Sequence, residues 1–302
     1  PEPFDMKYIG VGNEQWGPEY IKRYKLFEEA LKAKYPEIVI VSGSGPYPDG
    51  EMFEYGWKEL KDLDAEIVDE HYYKPPQWFF ENANRYDSYD RNGPKVFAGE
   101  YAAQSVAIAS PDNKNNWNCA LSEAAFMTGL ERNADVVTMT SYAPLMAHAE
   151  GWQWTPDLIW FNNLQSYGTA NYYVQKLFSN NRGTHLLKLT EDNKPVIGAK
   201  GLYASAVLDK DSGDLILKVV NNNEAIEKVD MSLKGISNLA SEAAMQVISG
   251  MDPDAVNSFE SPENVSPEMT KFNLSGTDFS FEVKPKSLSV IRIKSQEILA
   301  MN

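Results

Sequence analysis

Five short apolar runs alternate with helix-length stretches over the first 180 or so residues, and this rhythm limits the fold more than any other feature. The runs are "KYIGVGN" (7–13), "IVIVSG" (38–43), "EIVDEHYY" (66–73), "KVFAGEYA" (95–102) and "VVTMTSYAP" (136–144). Between the first two, Tyr20, Tyr24, Phe27 and Leu31 recur at helical spacing, and the pattern stops before Pro36. Further helices are predicted near 51–62, over an aromatic-rich 76–87, over "NWNCALSEAAFMTGLERN", and, after a long loop, over "YGTANYYVQKLFS". Apolar strands that alternate with helices predict parallel strands covered by helices.

The pattern changes after about residue 182. "HLLKL", "GLYASAVLD", "DLILKVVNN", "AMQVISG", "FSFEVKP" and "SLSVIRIK" are short β-rich runs separated by turn clusters such as "DKDSGD" and "NNNE". They predict an antiparallel sandwich. The expected organisation is an α/β region over 1–182 and an all-β domain over 183–302.

Bulk properties narrow the function classes. The 302 residues, 43% hydrophobic and 12% aromatic, suffice for a large core and more than one domain. A net charge of −15 argues against nucleic acid and against an anionic membrane surface as partners. No apolar run of about 18 residues is present to cross a membrane. The single Cys119 rules out an intrachain disulfide framework, and its apolar helical context predicts core packing. The opening "PEPFDMKYIGVGN" carries no initiator Met, signal peptide or transit pattern, so a processed or truncated N-terminus is expected.

Two carboxylates stand out. Glu14 ends "YIGVGNE" and Glu100 ends "KVFAGE", and their separation of 86 positions matches three βα units of roughly 29 residues. In a (β/α)₈ barrel both then project at the C-terminal rim, where such barrels keep their active sites. Two carboxyls facing each other across that mouth are what retaining glycoside hydrolysis requires: one protonates the leaving oxygen, the other attacks the anomeric carbon. Trp16, Trp152 and Trp154 offer apolar ring faces on which a sugar can stack. The segment 144–166 is long for a connection, and long connections tend to be functional, so Trp152, Gln153 and Trp154 are candidates to line the site. "DKDSGD" (209–214) lacks the later ligands of a calcium loop and predicts a hairpin turn. His71, His148 and His185 have no short metal-ligand spacing, so neither metal nor cofactor is expected.

"VGNEQWG", "DEHYY", "VFAGEYA" and "SYAPLMAHAEGWQWTPDLIWFNNLQSYGTANYYVQKLF" together resemble the α-L-arabinofuranosidases of glycoside hydrolase family 51, nearly end to end. The resemblance implies a (β/α)₈ barrel with a C-terminal β-sandwich and a retaining enzyme that removes α-L-arabinofuranosyl side chains from plant polysaccharide. It implies Glu14 as general acid/base, Asn13 as the residue holding the sugar 2-hydroxyl and Glu100 as nucleophile. His71 and Tyr73 would orient that nucleophile, and a Gln near 153 would touch the sugar. The substrate class alone favours a secreted or periplasmic location.

The resemblance begins at the family's fourth barrel strand. Five βα units are present where eight close a barrel, so completion by an N-terminal segment or by self-association is expected. Two alternatives stay open: another retaining barrel glycosidase such as a β-xylosidase, and a non-catalytic carbohydrate-binding or assembly fragment.

Overall fold

The computed structural model describes residues 4–298. Five strands, β1 (Tyr8–Gly10), β2 (Val39–Gly43), β3 (Ile67–Lys74), β4 (Lys95–Ala103) and β5 (Val137–Thr140), form one sheet in sequential order. Among the pairs β1–β2, β2–β3 and β4–β5 the strands run parallel. The helices are α1 (Gly17–Lys34), α2 (Glu51–Asp62), α3 (Pro76–Glu81), α4 (Trp117–Arg132) and α5 (Ala170–Asn180). This is the βα alternation read from the sequence: five units of a (β/α)₈-type barrel, followed by antiparallel sheets.

The chain divides into two compact units. The first comprises residues 1–73, 86–102 and 133–143, and the second comprises 74–85, 103–132 and 144–302. In the first, Tyr20, Ile21 and Tyr24 of α1 and Leu60 of α2 bury against Ile40 of β2 and Val68 of β3. The stripe Tyr20, Tyr24, Leu31 predicted from spacing is thus the packing face of α1, whereas Phe27 is 57% exposed.

Several predicted elements are shorter than the sequence suggests, and β5 keeps only Val137–Thr140 of the predicted 136–144. β1 ends at Gly10 because Gly12 and Glu14 take left-handed backbone angles, φ +89° and +59°, which no strand tolerates. The aromatic run 76–87 is not one helix: α3 stops at Glu81, and a 3₁₀ turn follows at Arg85–Ser88. Asn82 caps the break, donating from its side chain to the Trp78 carbonyl at 2.8 Å.

In the second unit, strands Leu202–Asp209 and Asp214–Asn221 form a hairpin whose turn is the "DKDSGD" cluster. The latter strand is buried along its whole length, which explains its apolar stretches Leu215–Leu217 and Val219–Val220 on either side of buried Lys218. It pairs with Ser287–Ile298 in a seven-stranded sheet. A two-stranded layer, Glu227–Ser232 with Asp278–Val283, lays Phe279, Phe281 and Val283 on Ala204, Leu215, Leu217 and Ile291 of that sheet. These two layers are the sandwich. α4 packs against Leu202–Asp209. Cys119 of α4 is buried, as its context predicts, and burial pushes its thiol pKa up. The 144–168 segment holds three short strands, Met146–His148, Ile159–Phe161 and Ser166–Gly168, too brief to be read from periodicity.

Candidate active site

β3 sorts its side chains by the two-residue period of a strand. Val68, Glu70 and Tyr72 are fully buried. Val68 packs in the α1–α2 core, and Glu70 receives the Trp57 indole N–H of α2 at 2.8 Å. The alternate residues Asp69, His71 and Tyr73 share the opposite face, and all three make hydrogen bonds there.

His71 is the hub of that face, with 2% of its side chain exposed. Its Nδ1 lies 2.9 Å from Glu14 Oε1 and 3.6 Å from Glu100 Oε2, and its Nε2 lies 3.1 Å from Asp69 Oδ2. Tyr73 donates its hydroxyl to Glu100 Oε2 at 2.8 Å. The two glutamates are about one-third exposed, so they border open space while the imidazole does not. One oxygen of Glu14, one of Glu100 and a ring nitrogen of His71 lie within 4.8 Å of one another. A divalent ion could span such a trio, but a metal on Nδ1 would displace the proton between that nitrogen and Glu14.

Burial of the ring opposes its protonation, but the hydrogen bonds to Asp69 and Glu14 and the charges of Asp69 and Glu100 outweigh it. The net effect raises the His71 pKa to about 9. Flanked by acceptors on both nitrogens, the ring is held as a cation near neutral pH.

Glu14 reaches this cluster because of its backbone. A left-handed non-glycine residue costs about 1 kcal/mol, and such strain gathers at functional sites. Gly12 and Gly17 bracket it, both also at positive φ. Exposed Asn13 donates its backbone N–H to the Gln15 side chain, which fixes the loop. Trp16 is 52% exposed, and its Cβ lies against Gly45 in the loop after β2.

The structure therefore brings together Glu14, His71, Tyr73 and Glu100 with Asn13 and Trp16 nearby in chain. Trp152, Gln153 and Trp154 belong to the second unit. There Trp152 is 40% exposed and meets Trp160 edge to face at 6.2 Å between ring centroids. Asp69 was missed by sequence reasoning. Its position two before His71 in "DEHYY", on the same strand face, was the signal that could have found it.

Residues 99–287 match the family model described as the α-L-arabinofuranosidase C-terminal domain, and residues 1–91 match the α-L-arabinofuranosidase 1 domain. An extracellular exo-α-L-arabinofuranosidase of Streptomyces chartreusis is 51% identical over 208 residues, 67% of this chain and 24% of that protein. Alpha-L-arabinofuranosidase 2 of Arabidopsis thaliana is 33% identical over 100% of this chain and 43% of its own length. The arabinose-bound structure of the MgGH51 α-L-arabinofuranosidase superposes with a TM-score of 0.84 at 30% identity, covering 98% of this chain and 46% of the other. The chain thus spans less than half the length of the curated relatives described here. It belongs to the α-L-arabinofuranosidases of glycoside hydrolase family 51 and corresponds to their C-terminal portion.

Proposed function

We propose that the chain carries the catalytic carboxylates of a retaining α-L-arabinofuranosidase acting on arabinose-containing oligo- or polysaccharide. The observation that supports this most is the His71-bridged approach of Glu14 and Glu100, with carboxylate oxygens within 4.8 Å. Retaining hydrolysis works with carboxyls about 5–5.5 Å apart, whereas inverting enzymes hold them about 6.5–9.5 Å apart to admit a water. In this reading Glu14 protonates the leaving oxygen and Glu100 attacks the anomeric carbon. Water then releases the sugar, with Glu14 now acting as base. Tyr73 and His71 stabilise the Glu100 anion until it attacks. Asn13 holds the 2-hydroxyl, and Trp16 gives the sugar an apolar face. Trp152, Gln153 and Trp154 are proposed as further sugar-binding residues. The relatives' names supply the substrate class.

Completion of the sheet is part of the proposal. β1 is an edge strand. Beside it lies a groove of about 420 Å³ lined by Ile9, Val11, Tyr20, Tyr24, Phe27 and Leu31. A further βα unit, from an N-terminal segment or another copy, would fill it. The domain boundary is proposed near residue 182.

The test is leaving-group dependence with that segment supplied. The native protein should cleave nitrophenyl α-L-arabinofuranoside in preference to nitrophenyl β-D-xyloside. Glu14→Ala should lose about 10²-fold or more on substrates with basic leaving groups and far less on activated aryl glycosides. Equal losses on both would count against Glu14 as the acid. Binding of arabinose without turnover, unchanged by Glu100→Gln, would indicate a non-catalytic module.

A further inference from the structure

The face of β3 that carries His71 and Tyr73 also carries Asp69. Both of its oxygens are committed. Oδ2 faces His71 Nε2 at 3.1 Å, and Oδ1 accepts the Gly99 N–H at 3.0 Å. Gly99 immediately precedes Glu100, so one carboxylate ties the imidazole of β3 to the backbone that presents Glu100. The fit is close: a Cβ on residue 99 would collide with Asp69 Oδ1. The Asp69 backbone is fixed as well, since its carbonyl accepts the Ser44 hydroxyl at 2.9 Å and the Ser44 N–H at 3.1 Å.

We infer that Asp69 is a positioning residue: braced on Gly99, its carboxylate accepts a hydrogen bond from the Nε2–H of His71 and so commits the Nδ1 side of the ring to Glu14 and Glu100. The inference rests on the two-glutamate reading only for its catalytic consequence. The hydrogen-bond logic stands by itself. An ionised carboxylate only accepts, so an imidazole facing Asp69 must carry its proton on Nε2. Nδ1 then shares one proton with Glu14, and that shared proton is the one a general acid needs. The elevated His71 pKa agrees with this arrangement. Among the described residues, the ionisable groups within hydrogen-bond or ion-pair reach of the ring are Asp69 from its own strand, Glu14 from the loop after β1 and Glu100 from β4. The nearby Tyr20 hydroxyl is committed to the Val11 carbonyl and the Gly43 N–H.

Asp69→Asn separates this role from shape. An amide has one acceptor oxygen. If that oxygen keeps the buried Gly99 N–H, the NH₂ faces Nε2 and forces the ring into the Nδ1–H tautomer. The ¹⁵N shifts of His71 read this directly, across a pH series on the protein with its sheet completed. In the native protein Nε2 stays protonated throughout, including above pH 9. In Asp69→Asn the ring should lose its Nε2 proton, and its titration should move down by about 1–3 pH units. On nitrophenyl arabinofuranoside, kcat should fall about 10²-fold with KM nearly unchanged, and the alkaline limb of the pH–rate profile should move down with the titration. A merely structural role would leave the tautomer and the pH profile as they are. If Asp69→Asn does not fold, Gly99→Ala carries the same test, because it dislodges Asp69 and alters no ionisable group. An unprotonated Nε2 in the native protein, or an unchanged titration in a folded variant, would overturn the inference. Failure of the two-glutamate reading is a separate outcome: Glu100→Gln would retain turnover while the ¹⁵N result still decides the role of Asp69.

Discussion

His71 shows how much one residue's surroundings decide. Its ordinary pKa is 6.5, and the fold raises it to about 9 against the cost of burial. A raised folded-state pKa means that the folded protein holds the proton more tightly than the unfolded chain. The resulting stability is fully present below about pH 6.5, declines between there and pH 9, and is gone above. The expected contribution is about 2–3 kcal/mol at its fullest. Urea unfolding of the native protein and His71→Gln should therefore differ most at pH 6 and converge towards pH 9.5. A difference that is flat across this range would contradict the cationic ring. At this scale the sequence was informative about residue types: strand-end context and spacing single out Glu14 and Glu100. It was silent on the left-handed backbone of Glu14, because nothing in "GNEQ" marks which residue after the strand turns.

On β3 the same strand serves two chemistries on its two faces. Opposite His71 is Glu70, fully buried. It accepts from the Trp57 indole at 2.8 Å, the Tyr72 hydroxyl at 2.6 Å, and the Tyr86 and Tyr89 hydroxyls at 2.8 Å each. Four neutral donors from three stretches of chain thus take the place of water, and they hold α2 and the 85–89 turn to the strand behind the site. Glu70→Gln offers one acceptor oxygen where two stood, and the indole N–H cannot rotate to find another. The variant should lose about 2–4 kcal/mol in urea unfolding, and Tyr89→Phe about 1–2 kcal/mol. A loss below 0.5 kcal/mol for Glu70→Gln, on the order of an exposed surface change, would show the cluster to be dispensable. The period of "IVDEHYYK" was legible as a strand, but its aromatic partners were not. They lie 13 to 19 residues away, in elements whose docking no local pattern encodes.

Across the whole molecule, the βα rhythm and the later β-rich runs were legible because each is a long, periodic burial pattern. The three strands within 146–168 were not, since three residues carry no period. The five-stranded sheet has β1 and β5 at its ends, with Tyr8 half exposed on β1 and Leu26 and Phe27 more than half exposed on α1. Edge N–H and C=O groups, and apolar area worth about 25 cal/mol per Å² when buried, favour association. Light scattering on chain 1–302 alone should show oligomers or aggregates with little turnover, and added N-terminal strands should restore a soluble, active species. A stable, fully active monomer of 1–302 would contradict this. The central claim is that Glu100 attacks the sugar, and azide rescue tests it most directly. With the sheet completed, Glu100→Ala should have no measurable turnover of nitrophenyl α-L-arabinofuranoside. Added azide should restore it and give the β-configured arabinofuranosyl azide, identified by NMR. Turnover persisting in Glu100→Ala without azide, or a rescued product of retained configuration, would contradict the account.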